Sequence, residues 1–193
     1  MKTLSPYRVA FITGQSNPYS WDLSPIQRHF IQSFNLPDEC VYKLNFPYTE
    51  CSDNYTPTPV LRASLQNIKL FLASQKPEFK EQYQSVVTDF ILESEHTILL
   101  SGSSGVELLN NLHLTAAVLK RISVFAYGPV SRHRPDCHYV FVQGKQDWYS
   151  RLFHSKPDYR VSCGHLNYLE TDEVQDICAR FIQNVLSKMN LPR

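Results

Sequence analysis

Ile98-Leu99-Leu100-Ser101-Gly102-Ser103-Ser104-Gly105-Val106-Glu107-Leu108-Leu109 is an apolar run that ends in tiny residues around a serine and then takes up helical spacing. A chain presents a nucleophile on such a strand-to-helix elbow, where the residues two before and two after the serine must be small because the strained backbone packs tightly. Ser101 and Gly105 meet that need around Ser103, whereas the +2 neighbour of Ser104 is the β-branched Val106. On its own the cluster also describes an ordinary β-to-α turn closed by glycines, so its meaning depends on the residues downstream.

Two further segments follow. His138-Tyr139-Val140-Phe141-Val142-Gln143 reads as a strand, and Gly144-Lys145-Gln146-Asp147 places an acid just past its end. Tyr159-Arg160-Val161-Ser162 reads as a second, shorter strand that runs into Cys163-Gly164-His165. Serine, acid and histidine then come in the chain order of an α/β-hydrolase. The rival acids are Asp136, which precedes its strand, and Asp172, which begins the last helix and suits its N-terminus. The other histidines, at 29, 96, 113, 133, 138 and 154, end no late strand.

On these motifs the chain resembles a small member of the α/β-hydrolase superfamily, from the first strand at Tyr7 to the last helix ending near Met189. Ser101 stands where the first glycine of the usual Gly-x-Ser-x-Gly elbow falls. The resemblance implies that Ser103 attacks an acyl carbon, that His165 takes its proton and returns it to the leaving group, and that Asp147 holds the imidazole tautomer. It also implies an oxyanion hole built from the backbone amides of Gln15 and Ser104, with Thr13 where a histidine is usual. Read from residues alone, Thr13-Gly14-Gln15-Ser16-Asn17-Pro18 equally suits a polar turn before a helix at Ser24-Pro25.

Strand patterns at 7–13, 40–46, 97–102, 122–127, 138–143 and 159–162 alternate with helical ones near 24–34, 59–75, 79–94, 105–120 and 171–189. That alternation predicts an α/β fold with a mostly parallel sheet of about six strands and helices on both faces. Leu61, Leu65, Ile68 and Leu72 recur at helical spacing, as do Val174, Ile177, Phe181 and Val185, and both stripes read as core. Only 129–136 separates the strand ending at Tyr127-Gly128 from the next, which leaves no room for an inserted cap. The expected organisation is one α/β-hydrolase-like domain over 1–193. The connection from Phe46-Pro47-Tyr48 to Thr58-Pro59 reads as a surface loop that could also cover the site.

At 193 residues, 42% hydrophobic and 19% charged, the chain can bury one sizeable core. A net charge of +1 without an arginine-lysine stripe argues against nucleic acid as a partner. Five cysteines, odd in number and without a Cys-x-x-Cys pair, indicate neither a disulfide framework nor a zinc site. No apolar run is long enough to span a membrane, and the strand Tyr7-Arg8-Val9-Ala10-Phe11-Ile12 that follows the N-terminus is too short and too quickly interrupted for a signal-peptide h-region, so a cytoplasmic protein is expected. The charged link Lys76-Pro77-Glu78-Phe79-Lys80-Glu81 reads as a solvated face.

The functional expectation is a serine hydrolase, needing no cofactor or metal, that cleaves a carboxylic ester or thioester whose acyl group is free or carrier-bound. Two other classes fit the same residues. Ser101-Gly102-Ser103-Ser104-Gly105 before a helix could cradle the phosphate of a phosphosugar, and a hydrolase fold could serve binding without catalysis.

Overall fold

Val9 and Phe11 point to one side of their strand while Ala10 and Ile12 point to the other, and all four are buried, the pattern of a strand covered on both faces. The computed structural model describes residues 5–14, 20–49 and 59–189. Among them, five strands pair in chain order into one all-parallel sheet: β1 Arg8–Thr13, β2 Thr97–Gly102, β3 Ile122–Tyr127, β4 His138–Gly144 and β5 Tyr159–Val161. Between and after them lie helices α1 Pro25–Gln32, α2 Val60–Ala73, α3 Pro77–Leu92, α4 Gly105–Asn111, α5 Ala116–Leu119, α6 Trp148–Phe153 and α7 Asp172–Lys188.

Val9, Phe11, Ile98, Leu100 and Phe125 pack against α1 and α7 through Phe30, Ile31, Val174, Ile177 and Phe181. On the opposite face, Ala10, Ile12, Leu99, Val124 and Phe141 meet α3, α4 and α5. Each fully buried large aliphatic or aromatic side chain contributes about 1.5–3 kcal/mol, which makes these two layers the main source of stability.

The division of helices between the faces follows from chain direction. Val9 pairs with Ile98 on one edge and with Val41 on the other, so the chain steps outward from β1 to Val41 and then crosses back to β2. Right-handed crossovers put the helix of the outward step on one face and those of the later steps on the other. The point where stepping direction reverses, between the C-terminal ends of β1 and β2, is where an open α/β sheet forms a ligand crevice.

The segment expected as a strand at 40–46 does not join the ladder, which reduces the sheet from six strands to five among the described residues. After a 3₁₀ turn at Asp38–Cys40, Val41 makes a single parallel bridge to β1, and Leu44 bridges Asp22 instead. Asn45 then binds Thr13 twice, donating from Nδ2 to Oγ1 at 2.6 Å and accepting from the Thr13 amide at 3.1 Å, which turns the chain away before a ladder can form. The helix expected over 105–120 is broken at 112–115. His113 takes a positive φ of 48° there, and the Thr115 side chain caps α5 by accepting from the Val118 amide.

The stripe of α2 behaves unlike the expectation. Leu65, Ile68 and Leu72 are exposed, and it is Leu70 that packs against the core. Helical spacing marks a common face, but it does not say which face the protein covers.

Candidate active site

β2 ends at Gly102, and one residue later the backbone of Ser103 turns left-handed with φ 49°. A serine in this region costs roughly 1 kcal/mol or more, so its surroundings must hold it there. They do so from both sides of the residue: the Ser103 amide donates to the Tyr127 carbonyl at 3.3 Å, and the Val130 amide donates to the Ser103 carbonyl at 2.8 Å. The loop carrying Val130 is itself latched to α4, because buried Glu107 accepts from both the amide and Nε of Arg132 at 2.9 and 2.7 Å.

Small residues around the serine are required by packing. A Cβ on Gly105 would run into the Ile12 carbonyl oxygen, and one on Gly102 would lie 2.6 Å from the Tyr127 ring. Ser101, in the place of the usual first glycine, is buried with its hydroxyl unpaired among the described residues.

Asp147 and His165 reach the same edge of the sheet as Ser103, being three and four residues past the ends of β4 and β5. Ser103 Oγ lies 3.3 Å from His165 Nε2, and His165 Nδ1 lies 2.9 Å from Asp147 Oδ2. Of the acids considered, Asp147 meets the histidine; Asp172 is the first residue of α7 and Asp136 is exposed ahead of β4. Two of the other histidines share the Ser123 hydroxyl, and His154 is paired with Ser131.

Asp147 is 1% exposed and held by three partners. Besides His165, the Ser150 amide donates to Oδ1 at 3.0 Å, where Asp147 caps the short helix α6, and the Tyr168 hydroxyl donates to Oδ2 at 2.7 Å. The Gly144 amide donates in turn to the Tyr168 hydroxyl at 2.6 Å, so that oxygen is aimed by backbone. Burial alone would raise the Asp147 pKa, but the hydrogen bonds from His165, Ser150 and Tyr168 override it and hold the carboxyl well below the usual carboxylate range. The Tyr168 hydroxyl is pushed far up by burial and by its bond to Asp147, so it remains a donor. Gly128, with φ 55°, lets β3 end against this pair: a Cβ there would sit 2.6 Å from the Tyr168 ring and 3.1 Å from Asp147 Oδ2.

Tyr168 is the residue that the sequence reading missed, since an aromatic three positions after His165 carries no pattern of its own. Asn67 of α2 is another. A Cβ on Gly14 would collide with its Oδ1 and come within 2.9 Å of Ser104 Oγ, and both oxygens are buried without partners among the described residues. These groups gather at the crevice between β1 and β2, beside Ser103. Ser104 precedes α4 and follows the serine directly, whereas Gln15 and most of the 46–59 connection lie outside the described residues. Cys163 is no competing nucleophile: burial pushes its thiol up to about 11.

Among the described residues no group of three or more His, Cys, Asp or Glu is placed to hold a metal ion. No helix among them is long and apolar enough to cross a membrane. No protein-family model matches the chain, and no curated protein matches it significantly.

Proposed function

We propose that the protein is a serine hydrolase of α/β-hydrolase type that cleaves a carboxylic ester or thioester through an acyl-enzyme. The observation that carries this reading is Ser103 on a left-handed elbow, in line with His165 and a buried, hydrogen-bonded Asp147. Ser103 Oγ attacks the acyl carbon as its proton passes to His165 Nε2, giving a tetrahedral oxyanion and an imidazolium that Asp147 stabilises. Collapse expels the alcohol or thiol, which takes the proton from His165. Water then attacks the acyl-enzyme with His165 as base, and the carboxylic acid leaves as Ser103 regains its proton. The amides of Ser104 and Gln15 are the proposed donors to the oxyanion.

The chain serves as one domain in this reading, with no inserted cap, and the acyl group arrives on a small alcohol, a thiol or a carrier. The four described cysteines, 40, 137, 163 and 178, are unpaired, which suits a reducing, cytoplasmic setting. A phosphate-binding loop would leave the Asp147–Tyr168–His165 network without a task.

Intact-mass analysis after exposure to a fluorophosphonate, with mapping of the modified peptide, tests the proposal. A single adduct on Ser103 is expected. No adduct on folded protein, or one that persists in Ser103→Ala, overturns it.

A further inference from the structure

Helix α2 is apolar on two sides. Leu70 packs on the core, Asn67 lies against Gly14, and Phe71 reaches across to Phe153 of α6, ring centroids 6.1 Å apart. On the outer side Leu65 and Leu72 are 60% and 57% exposed, with Ile68 between them. The apolar surface continues onto α6, where Trp148 and Leu152 are 68% and 73% exposed. A single exposed leucine needs no explanation, but a continuous strip on two adjoining helices does.

The strip flanks the candidate site. Trp148 directly follows Asp147, and the ring of Tyr149 stands 5.4 Å from that of His165. Its charge is one-sided. Neither helix contains an aspartate or glutamate, while α2 carries exposed Arg62 and Lys69 and α6 carries exposed Arg151. On a helical projection, Arg62 and Lys69 border one side of the Leu65–Ile68–Leu72 stripe and Phe71 the other.

We infer that α2 and α6 together form a docking surface for an anionic lipid–water interface, which they bring to the mouth of the crevice beside Ser103. Apolar side chains that enter the headgroup boundary, an exposed tryptophan at its level, and cations facing anionic headgroups are the features by which a protein lies on a bilayer without crossing it. An acidic carrier protein or a second copy of the chain would also meet apolar surface. The absence of any carboxylate from both helices, with cations edging the strip, fits a continuous anionic plane best. The inference rests on the proposed ester chemistry only for what the surface delivers, an ester that partitions into lipid.

The test uses the whole chain and vesicles of phosphatidylcholine with or without phosphatidylglycerol. The chain has two tryptophans, 21 and 148, and Trp148 is the exposed one, so its emission reports docking. Co-sedimentation with the phosphatidylglycerol vesicles and a blue shift are expected; Trp148→Phe keeps the sedimentation and loses the shift. Added salt weakens binding, and Ile68→Ser with Leu72→Ser lowers it about tenfold or more while leaving the fold intact, because both residues are exposed. Absence of binding, or binding indifferent to the double substitution, overturns the inference. So does association with an acidic acyl carrier protein, or a dimer dissolved by the double substitution, without vesicle binding. Fluorophosphonate labelling of the same samples separates the two readings. Labelling of Ser103 without vesicle binding removes the docking surface alone, and vesicle binding without labelling upholds the surface while removing the chemistry it serves.

Discussion

Ser131 and His154 form a shorter serine-histidine contact than Ser103 and His165, yet theirs is not the candidate site. Ser131 Oγ stands 3.0 Å from His154 Nε2, both residues being buried, against 3.3 Å for Ser103 and His165. Ser131, however, also donates its proton to the His133 carbonyl at 2.9 Å, and among the described residues no carboxylate is bonded to the His154 ring. Ser103 sits on a left-handed elbow, with a histidine that is partly open to solvent and anchored from behind by Asp147. A close contact between serine and histidine is therefore an ordinary way to satisfy two buried polar groups. An activated nucleophile needs the third group and an exposed approach.

The largest break in the comparison comes from removing each hydroxyl. Ser103→Ala should abolish ester turnover, by about 10⁴-fold or more, and eliminate fluorophosphonate labelling; Ser131→Ala should keep both and lose about 1–2 kcal/mol of stability in a denaturant titration. Asp147→Asn should cost about 10⁴-fold in kcat, because the imidazole then loses its enforced tautomer. It should also change acid stability. The folded carboxyl lies below its unfolded value of about 3.9, so its contribution is complete above that pH and is lost as pH falls toward the folded value. In Asp147→Asn that acid-dependent loss should be absent from a pH series of melting temperatures.

Tyr168→Phe removes the hydroxyl behind Asp147 while preserving the ring. Because the Tyr168 hydroxyl donates to Asp147 and is itself held by the Gly144 amide, kcat should fall about tenfold with KM unchanged, and a change confined to KM would contradict its role in positioning the acid. The smallest effect belongs to the other pair. Burial, with Arg134 nearby, lowers the His154 pKa, so the unfolded chain binds the extra proton as pH drops through about 6.5. Wild-type stability should decline below that pH by a fraction that His154→Gln removes, with activity unaffected.

Much of the site was legible in the sequence because its parts end strands. Apolar runs at Ile98–Leu100 and Val140–Val142 fix where β2 and β4 stop, and the residues just beyond a parallel strand share one edge whatever their separation in the chain. Helix α6 escaped notice because Trp148–Phe153 is too short for a period to emerge; the one available signal was Asp147 itself, a good N-cap. Residues 40–46 misled because an alternating pattern signals extended backbone, and Val41 and Leu44 each make a single bridge, to β1 and to Asp22, without forming a ladder. The α2 stripe misled for a related reason: amphipathic spacing is the same whether the covering partner is the protein core or something outside it. Tyr168 was invisible because its role depends on where the loop after β5 folds back onto Gly144.

β5 is three residues long, the outermost strand of the sheet, and two of its three side chains are exposed. The loop that bears His165 hangs from it, stitched to the loop that bears Asp147 by the bond from the Gln146 amide to the Cys163 carbonyl. Native proteins open first where few apolar contacts close the structure. In amide exchange, β5 and the two loops beyond it should lose protection together, ahead of β2. On the proposed reading, the half of the site that carries Asp147 and His165 is expected to open before the half that carries Ser103, so that activity is lost by local opening while the central strands are still folded.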